Sequence, residues 1–223
     1  MSLFTRPMST SPSSGPRTVC VSNSASLRGS GLGARIDSFD EVVRFNNFET
    51  QGFEADVGTR TTIWVHSPLV PRRHHVDPPC RELLALPTPI AATHPPDPTV
   101  ELLPLAVEEE LLSRFSFKRG TWPTTGLLSL AYLLRSNETV YVCGWLPSRS
   151  AASFKKHYYR DRTIEISLRQ FAYGMWRQFG GLVRGEGLQG WPHDLAAESL
   201  IYDTWRAQGR VSPLESQFSD PTT

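Results

Sequence analysis

Residues 18–62 read TVCVSNSASLRGSGLGARIDSFDEVVRFNNFETQGFEADVGTRTT, and the fold is decided here. Thr18 to Val21 is a short β-branched run that predicts a strand. It ends in Ser22-Asn23-Ser24, small side chains able to hydrogen-bond a ligand. A glycine-rich turn follows, Gly29-Ser30-Gly31-Leu32-Gly33, where backbone can approach a bound group without side-chain interference. Arg35-Ile36-Asp37 predicts a helical turn. Val42 to Phe45 predicts a second strand, with Arg44 and Asn46 on one face by alternation. Thr61 to His66 predicts a third. Strand, glycine loop and strand with polar groups at its end is how α/β proteins build nucleotide sites.

The wording of the stretch carries more than its periodicity. It resembles the large sialyl motif of the sialyltransferases, glycosyltransferase family 29, whose pattern runs G-N-S-x-x-L, G, I-D, D-x-V-x-R-x-N and G-F-E-x-D-V-G-x-R-T-T. Ser22-Asn23-Ser24, Leu27, Gly33, Ile36-Asp37, Asp40 to Asn46 and Gly52 to Thr62 stand at those places, and only the first glycine departs, as Ser22. Further on, Pro123-Thr124-Thr125-Gly126-Leu127, a predicted helix to Arg135 and a predicted strand Thr139 to Cys143 ending in Gly144-Trp145 resemble the small motif. His157-Tyr158-Tyr159 resembles the third, H-Y-Y.

The resemblance implies a single-domain α/β fold, Rossmann-like and of the GT-A-type variant, with a mostly parallel sheet flanked by helices. It implies transfer of sialic acid, or a related keto-sugar acid, from a CMP donor to a glycan hydroxyl with inversion. Asn23, Ser24, Asn46, Thr124, Thr125, Gly126, Gly144 and Tyr158 are the expected donor-binding residues. Asn23 and Asn46 are expected to bond the phosphate, and Thr124, Thr125 and Gly126 to hold cytidine and ribose. His157 as imidazolium and Tyr158 are expected to donate to the leaving phosphate. Hydroxyls at a helix N-terminus fit that task, since free N–H groups and the dipole favour an acceptor.

The family's fourth motif, H-x-x-x-x-E, supplies the general base. Shortly after H-Y-Y the nearest equivalent by spacing is Glu165 to Gln170, with Glu165 in the histidine's place. A carboxylate can take the proton if burial raises its pKa. His193, beside Asp194, is the second candidate. No cofactor and no metal are expected, because a CMP leaving group carries one phosphate that hydrogen-bond donors can stabilise. His74, His75, Asp77 and Cys80 fit no standard zinc spacing, and Arg72-Arg73 precede them.

Bulk properties set the frame. A chain of 223 residues suits one domain. A formal net charge of +1 without a Lys/Arg block argues against nucleic acid. Residues 1–16 read as a polar, Pro-interrupted disordered leader, 17–212 as the catalytic domain and 213–223 as a frayed tail. Three cysteines, Cys20, Cys80 and Cys143, make no disulfide framework. Secreted relatives bridge two cysteines at positions that here are Thr18 and Asn137, and animal members carry an N-terminal Golgi anchor. With that pair absent and no anchor visible, the expectation is a cytoplasmic protein, or else a trimmed form of a Golgi-lumen one.

Elsewhere the prolines between residues 68 and 104 leave room for a short helix only at Arg81 to Leu86. Helices are expected over Val100 to Phe115, Ile164 to Phe179 and Trp191 to Ala207. Three other readings compete. Gly29 to Ala34 with Glu54 formally satisfies a dinucleotide fingerprint, but it starts eight residues after Val21. A CMP-binding protein without turnover, and a CMP-Kdo-type transferase, are the closer alternatives.

Overall fold

The computed structural model describes residues 15–68, 80–86, 100–145, 158 and 193–214. In chain order these form β1 (Thr18–Val21), a 3-10 turn (Ala25–Leu27), α1 (Gly33–Asp37), β2 (Glu41–Phe45), α2 (Glu54–Val57) and β3 (Ile63–His66). There follow β4 (Arg81–Leu84), β5 (Glu101–Leu102), α3 (Leu105–Arg114), α4 (Thr125–Leu133), β6 (Val140–Cys143), α5 (Leu195–Ala207) and β7 (Val211–Pro213).

The strands make one seven-stranded sheet, order β5-β4-β3-β2-β1-β6-β7, and every pairing is parallel. The chain therefore lays strands outward on one side of β1 and then returns to its other side. Alternate residues of the strands feed two cores, as a parallel sheet covered on both faces requires. Cys20, Val43, Phe45, Ile63, Val65 and Val142 pack against Val107 and Leu111 of α3, Leu127 and Leu130 of α4 and Ile201 of α5. On the opposite face Val19, Val21, Val42 and Cys143 meet Leu27, Leu32, Ile36 and Val57.

Three expectations are corrected. Arg81 to Leu86 is not a helix: its first four residues are β4, in register with β3, because six residues are too few to fix a period and the open edge of β3 takes them up. Val100 to Phe115 is split at Pro104, which caps α3 and leaves Glu101–Leu102 to pair with β4. The tail does not begin at residue 213: Pro213 closes β7, Leu214 is fully buried, and its N–H donates to Val142 O at 2.7 Å. An edge strand tolerates a proline there. The helix expected over Ile164 to Phe179 lies outside the described residues.

Most of the 18–62 stretch braces itself. Asp56 accepts from the N–H groups of Gly29 (2.7 Å) and Gly31 (2.9 Å), so the glycine loop is turned onto a carboxylate rather than toward a ligand. Asp37 accepts from Thr59 N, Thr59 Oγ1 and Arg60 N. Gly58 has φ +70, and a Cβ there would stand 2.4 Å from Asp37 Oδ1. Arg44 is buried, and it donates to Val57 O at 2.6 Å, Arg60 O at 3.0 Å and Thr61 Oγ1 at 3.1 Å. Burial pulls its guanidinium below the ordinary value, and its Nη1 has no hydrogen-bond partner.

Candidate functional site

In an open parallel sheet the crevice lies beyond the carboxyl ends of the strands where the order reverses, here between β1 and β6. The loops leaving β1, β2 and β6 supply Ser22 to Ser24, Asn46 and Gly144-Trp145 to that edge. Strand alternation does not reach Asn46: β2 ends at Phe45, and Asn46 sits at φ +50, the left-handed region that asparagine tolerates best after glycine. Its N–H donates to Val65 O (2.8 Å), its carbonyl accepts from Trp64 Nε1 (2.8 Å) and its Oδ1 from Ser67 N (2.9 Å). With Oδ1 committed, the side chain offers its Nδ2 donor.

Asn23 is oriented the other way. Its Nδ2 donates to Phe45 O at 3.0 Å and Asn47 O at 3.1 Å, and its Oδ1 is buried without a partner. In this structure the amide hydrogens of Asn23, expected to bond the phosphate, tie the β1 loop to the β2 loop. Ser24 caps the 3-10 turn and shares a hydrogen bond with the Ser26 hydroxyl at 2.9 Å.

Thr124 is the N-cap of α4, accepting from Leu127 N at 3.2 Å. Its own N–H and hydroxyl both run to Glu198 of α5, each at 2.8 Å. The hydroxyl expected to hold cytidine or ribose is thus bonded to Glu198. Burial pushes the Glu198 carboxyl up to about 7, with Asp194 adding to it and the Thr124 bonds opposing. Gly126 lies under Trp145: a Cβ there would come 2.8 Å from Trp145 Cη2. Trp145 is also edge-on to Phe45 and stacked on Tyr202. Gly144 has φ +64, and a Cβ would meet Leu27 Cγ and Ser22 Oγ at 2.6 Å. Both glycines are therefore demanded by close packing behind the edge.

Tyr158 is a strut. It is 1% exposed, its hydroxyl donates to Glu49 O and accepts from Glu49 N (3.2 Å), and its N–H donates to Asn23 O (3.2 Å). Burial pushes its pKa up to about 12, against the pull of the Glu49 bond and the Arg44 charge. The hydroxyl expected to donate to the leaving phosphate is engaged with Glu49 in this structure. His157 and Glu165 lie outside the described residues.

His193 stands beside the small-motif stretch. Its Nδ1 is 2.9 Å from Trp122 O, and its ring is edge-on to Trp122. A carbonyl only accepts, so Nδ1 carries a proton and donates it to Trp122 O. The two α5-end residues that touch the 122–125 turn, His193 and Glu198, are spaced H-x-x-x-x-E. That spacing is the missed signal. It was legible in the sequence, and both its ends match the fourth-motif pattern, whereas Glu165 to Gln170 matches at neither. It lies further after H-Y-Y than the motif order suggests.

Among the described residues no group of three or more His, Cys, Asp or Glu is placed to hold a metal ion, and no helix is long and apolar enough to cross a membrane. Thr18 Oγ1 lies 3.3 Å from Asn137 Oδ1, so the positions aligned with the secreted relatives' disulfide do adjoin.

An all-parallel sheet whose strand order reverses between β1 and β6 defines a Rossmann-like α/β protein. Residues 3–85 match the model of Glycosyltransferase family 29 (sialyltransferase). The chain is 57% identical over 47 residues to the "Alpha-N-acetyl-neuraminyl-2,3-beta-galactosyl-1,3-N-acetyl-galactosaminide alpha-2,6-sialyltransferase" of Mus musculus, covering 21% of this chain and 13% of that one. It is 27% identical over 187 residues to the "CMP-N-acetylneuraminate-beta-galactosamide-alpha-2,3-sialyltransferase 1" of Mus musculus, covering 68% of this chain and 55% of that one. Each of these is a likeness to sialyltransferases over part of the chain. The chain spans about half the length of the second relative and far less of the first. The fold is that of a solved "Mammalian Sialyltransferase", with TM-score 0.60 at 23% identity over 90% of this chain and 69% of that one.

Proposed function

We propose that this chain transfers sialic acid, or a related keto-sugar acid, from a CMP donor to a glycan hydroxyl with inversion and without a metal. What supports the reading is a set of contacts between the elements around the sheet edge: Trp145, after β6, meets Phe45 at the end of β2 and covers Gly126 of α4, and His193 meets Trp122 O just before α4. Asn46 Nδ2 donates to the phosphate. Thr125 and the N-terminus of α4 hold the ribose and cytidine, with Trp145 packed behind Gly126. His193 Nε2 takes the acceptor hydroxyl's proton, its ring held by Trp122 O. Charge develops on a single departing phosphate, and fixed hydrogen-bond donors suffice to stabilise it. His157 keeps its expected role as imidazolium donor to that phosphate.

The reading as a CMP-binding protein without turnover rested on a missing base histidine, and the His193 to Glu198 spacing removes that ground. The test is transfer from CMP-sialate by wild type and by His193→Ala. Loss of a general base lowers turnover by about 100-fold or more while CMP affinity is kept. Equal turnover in the two, or CMP affinity lost with it, overturns the assignment. Full activity in EDTA is expected.

A further inference from the structure

Asn46 is bonded directly by the end of β3, while Asn23 of the β1 loop holds its neighbours Phe45 and Asn47. Trp64 Nε1 donates to its carbonyl at 2.8 Å, and Ser67 N to its Oδ1 at 2.9 Å. The Trp64 ring in turn lies on the His66 ring, centroids 4.6 Å apart and tilted by 32°. His66 Nε2 is 2.8 Å from Glu82 Oε1 of β4. A carboxylate accepts, so that nitrogen carries the hydrogen and the imidazole is pinned in orientation. Trp64 and His66 are both buried, and Glu82 stands opposite Trp64 in the β3–β4 register.

These contacts form one line from β4 to β2: Glu82 to His66, His66 to Trp64, Trp64 to Asn46. An asparagine at φ +50 occupies a sparsely populated region, and it persists only where its surroundings fix it. We propose that Trp64, His66 and Glu82 are positioning residues that hold Asn46 so that its Nδ2 faces the donor's phosphate. They act through Asn46 and touch no reacting atom. The inference rests on the CMP-donor reading above and adds three residues outside the donor-binding set to that site.

The test measures dissociation constants for CMP and for cytidine by titration calorimetry, with thermal midpoints recorded for each variant. Trp64→Phe keeps an aromatic ring at this position and deletes the N–H, and it weakens CMP by about fivefold, the worth of one hydrogen bond, while leaving cytidine unchanged. Glu82→Ala weakens CMP similarly, and Glu82→Gln, which still accepts from His66, restores it. In an Asn46→Ala background Trp64→Phe has no further effect, because the pair acts as a unit. A purely structural role would lower CMP and cytidine affinity together, or move the midpoint with no change in either, and both results overturn the inference. So does an equal loss from Trp64→Phe with and without Asn46. If wild type binds no CMP, the donor reading itself fails, and the inference with it. If wild type binds CMP and Asn46→Ala weakens it but Trp64→Phe does not, the inference alone fails.

Discussion

Glu198→Gln should alter the pH dependence of stability more than stability itself. The Glu198 carboxylate is 9% exposed and accepts both the N–H and the hydroxyl of Thr124, at 2.8 Å each. Burial is the larger influence, and it raises the carboxyl from 4.5 to about 7. The folded chain therefore holds this proton more tightly than the unfolded chain does. The associated stability is full below pH 4.5 and is lost as the pH rises through about 7. At 1.36 kcal/mol per pH unit, the loss between pH 5 and pH 8 is on the order of 2–3 kcal/mol. Glutamine cannot ionise, yet its carbonyl still accepts from Thr124 N, so the variant escapes the loss. Urea unfolding of both proteins at pH 5 and pH 8 measures it. The stability difference between them should move in the variant's favour by about 2–3 kcal/mol at the higher pH. Parallel curves, with a constant difference, would refute the claim that Glu198 is a buried group titrating near neutrality.

Thr18→Cys/Asn137→Cys should form a disulfide under oxidising conditions, since the two side chains already touch at 3.3 Å. Free thiols after oxidation, counted by mass spectrometry, would show the alignment of those positions to be wrong. Gly126→Ala should cost about 1–3 kcal/mol, because the added methyl meets the Trp145 ring at 2.8 Å, and the indole's fluorescence should report its displacement. Asp56→Ala should destabilise the chain by about 2 kcal/mol through the loss of its bonds to Gly29 and Gly31. It should change CMP affinity by less than about threefold, equivalent to under 1 kcal/mol. A larger loss of affinity would show that the glycine loop serves the ligand after all.

The centre of the fold was legible in the sequence and its margins were not. β1, β2, β3 and β6 are apolar runs buried on both faces, which composition alone reveals. β4, β5 and β7 are short and sit in or beside proline-punctuated sequence, and only pairing with a neighbour makes them strands. In the site, Asn46 was identifiable as a polar residue at a strand's end. The direction of each amide was not, because it depends on carbonyls contributed by Phe45 and Asn47 in one case and on Ser67 N in the other. Thr124 reads in sequence as a free hydroxyl, and its partner Glu198, 74 residues away, reads as an ordinary helix acid. Much of the long motif is internal bracing by Asp37, Asp56 and Arg44, so its length reports the frame rather than the number of ligand contacts.

The central claim is that CMP lies across the sheet edge between β1 and β6. A crystal structure of the chain with CMP tests it most directly. The phosphate should lie within hydrogen-bond distance of Asn46 Nδ2 and the nucleoside at Thr125 and the start of α4. CMP bound on another face, or no binding by a folded chain, would contradict it.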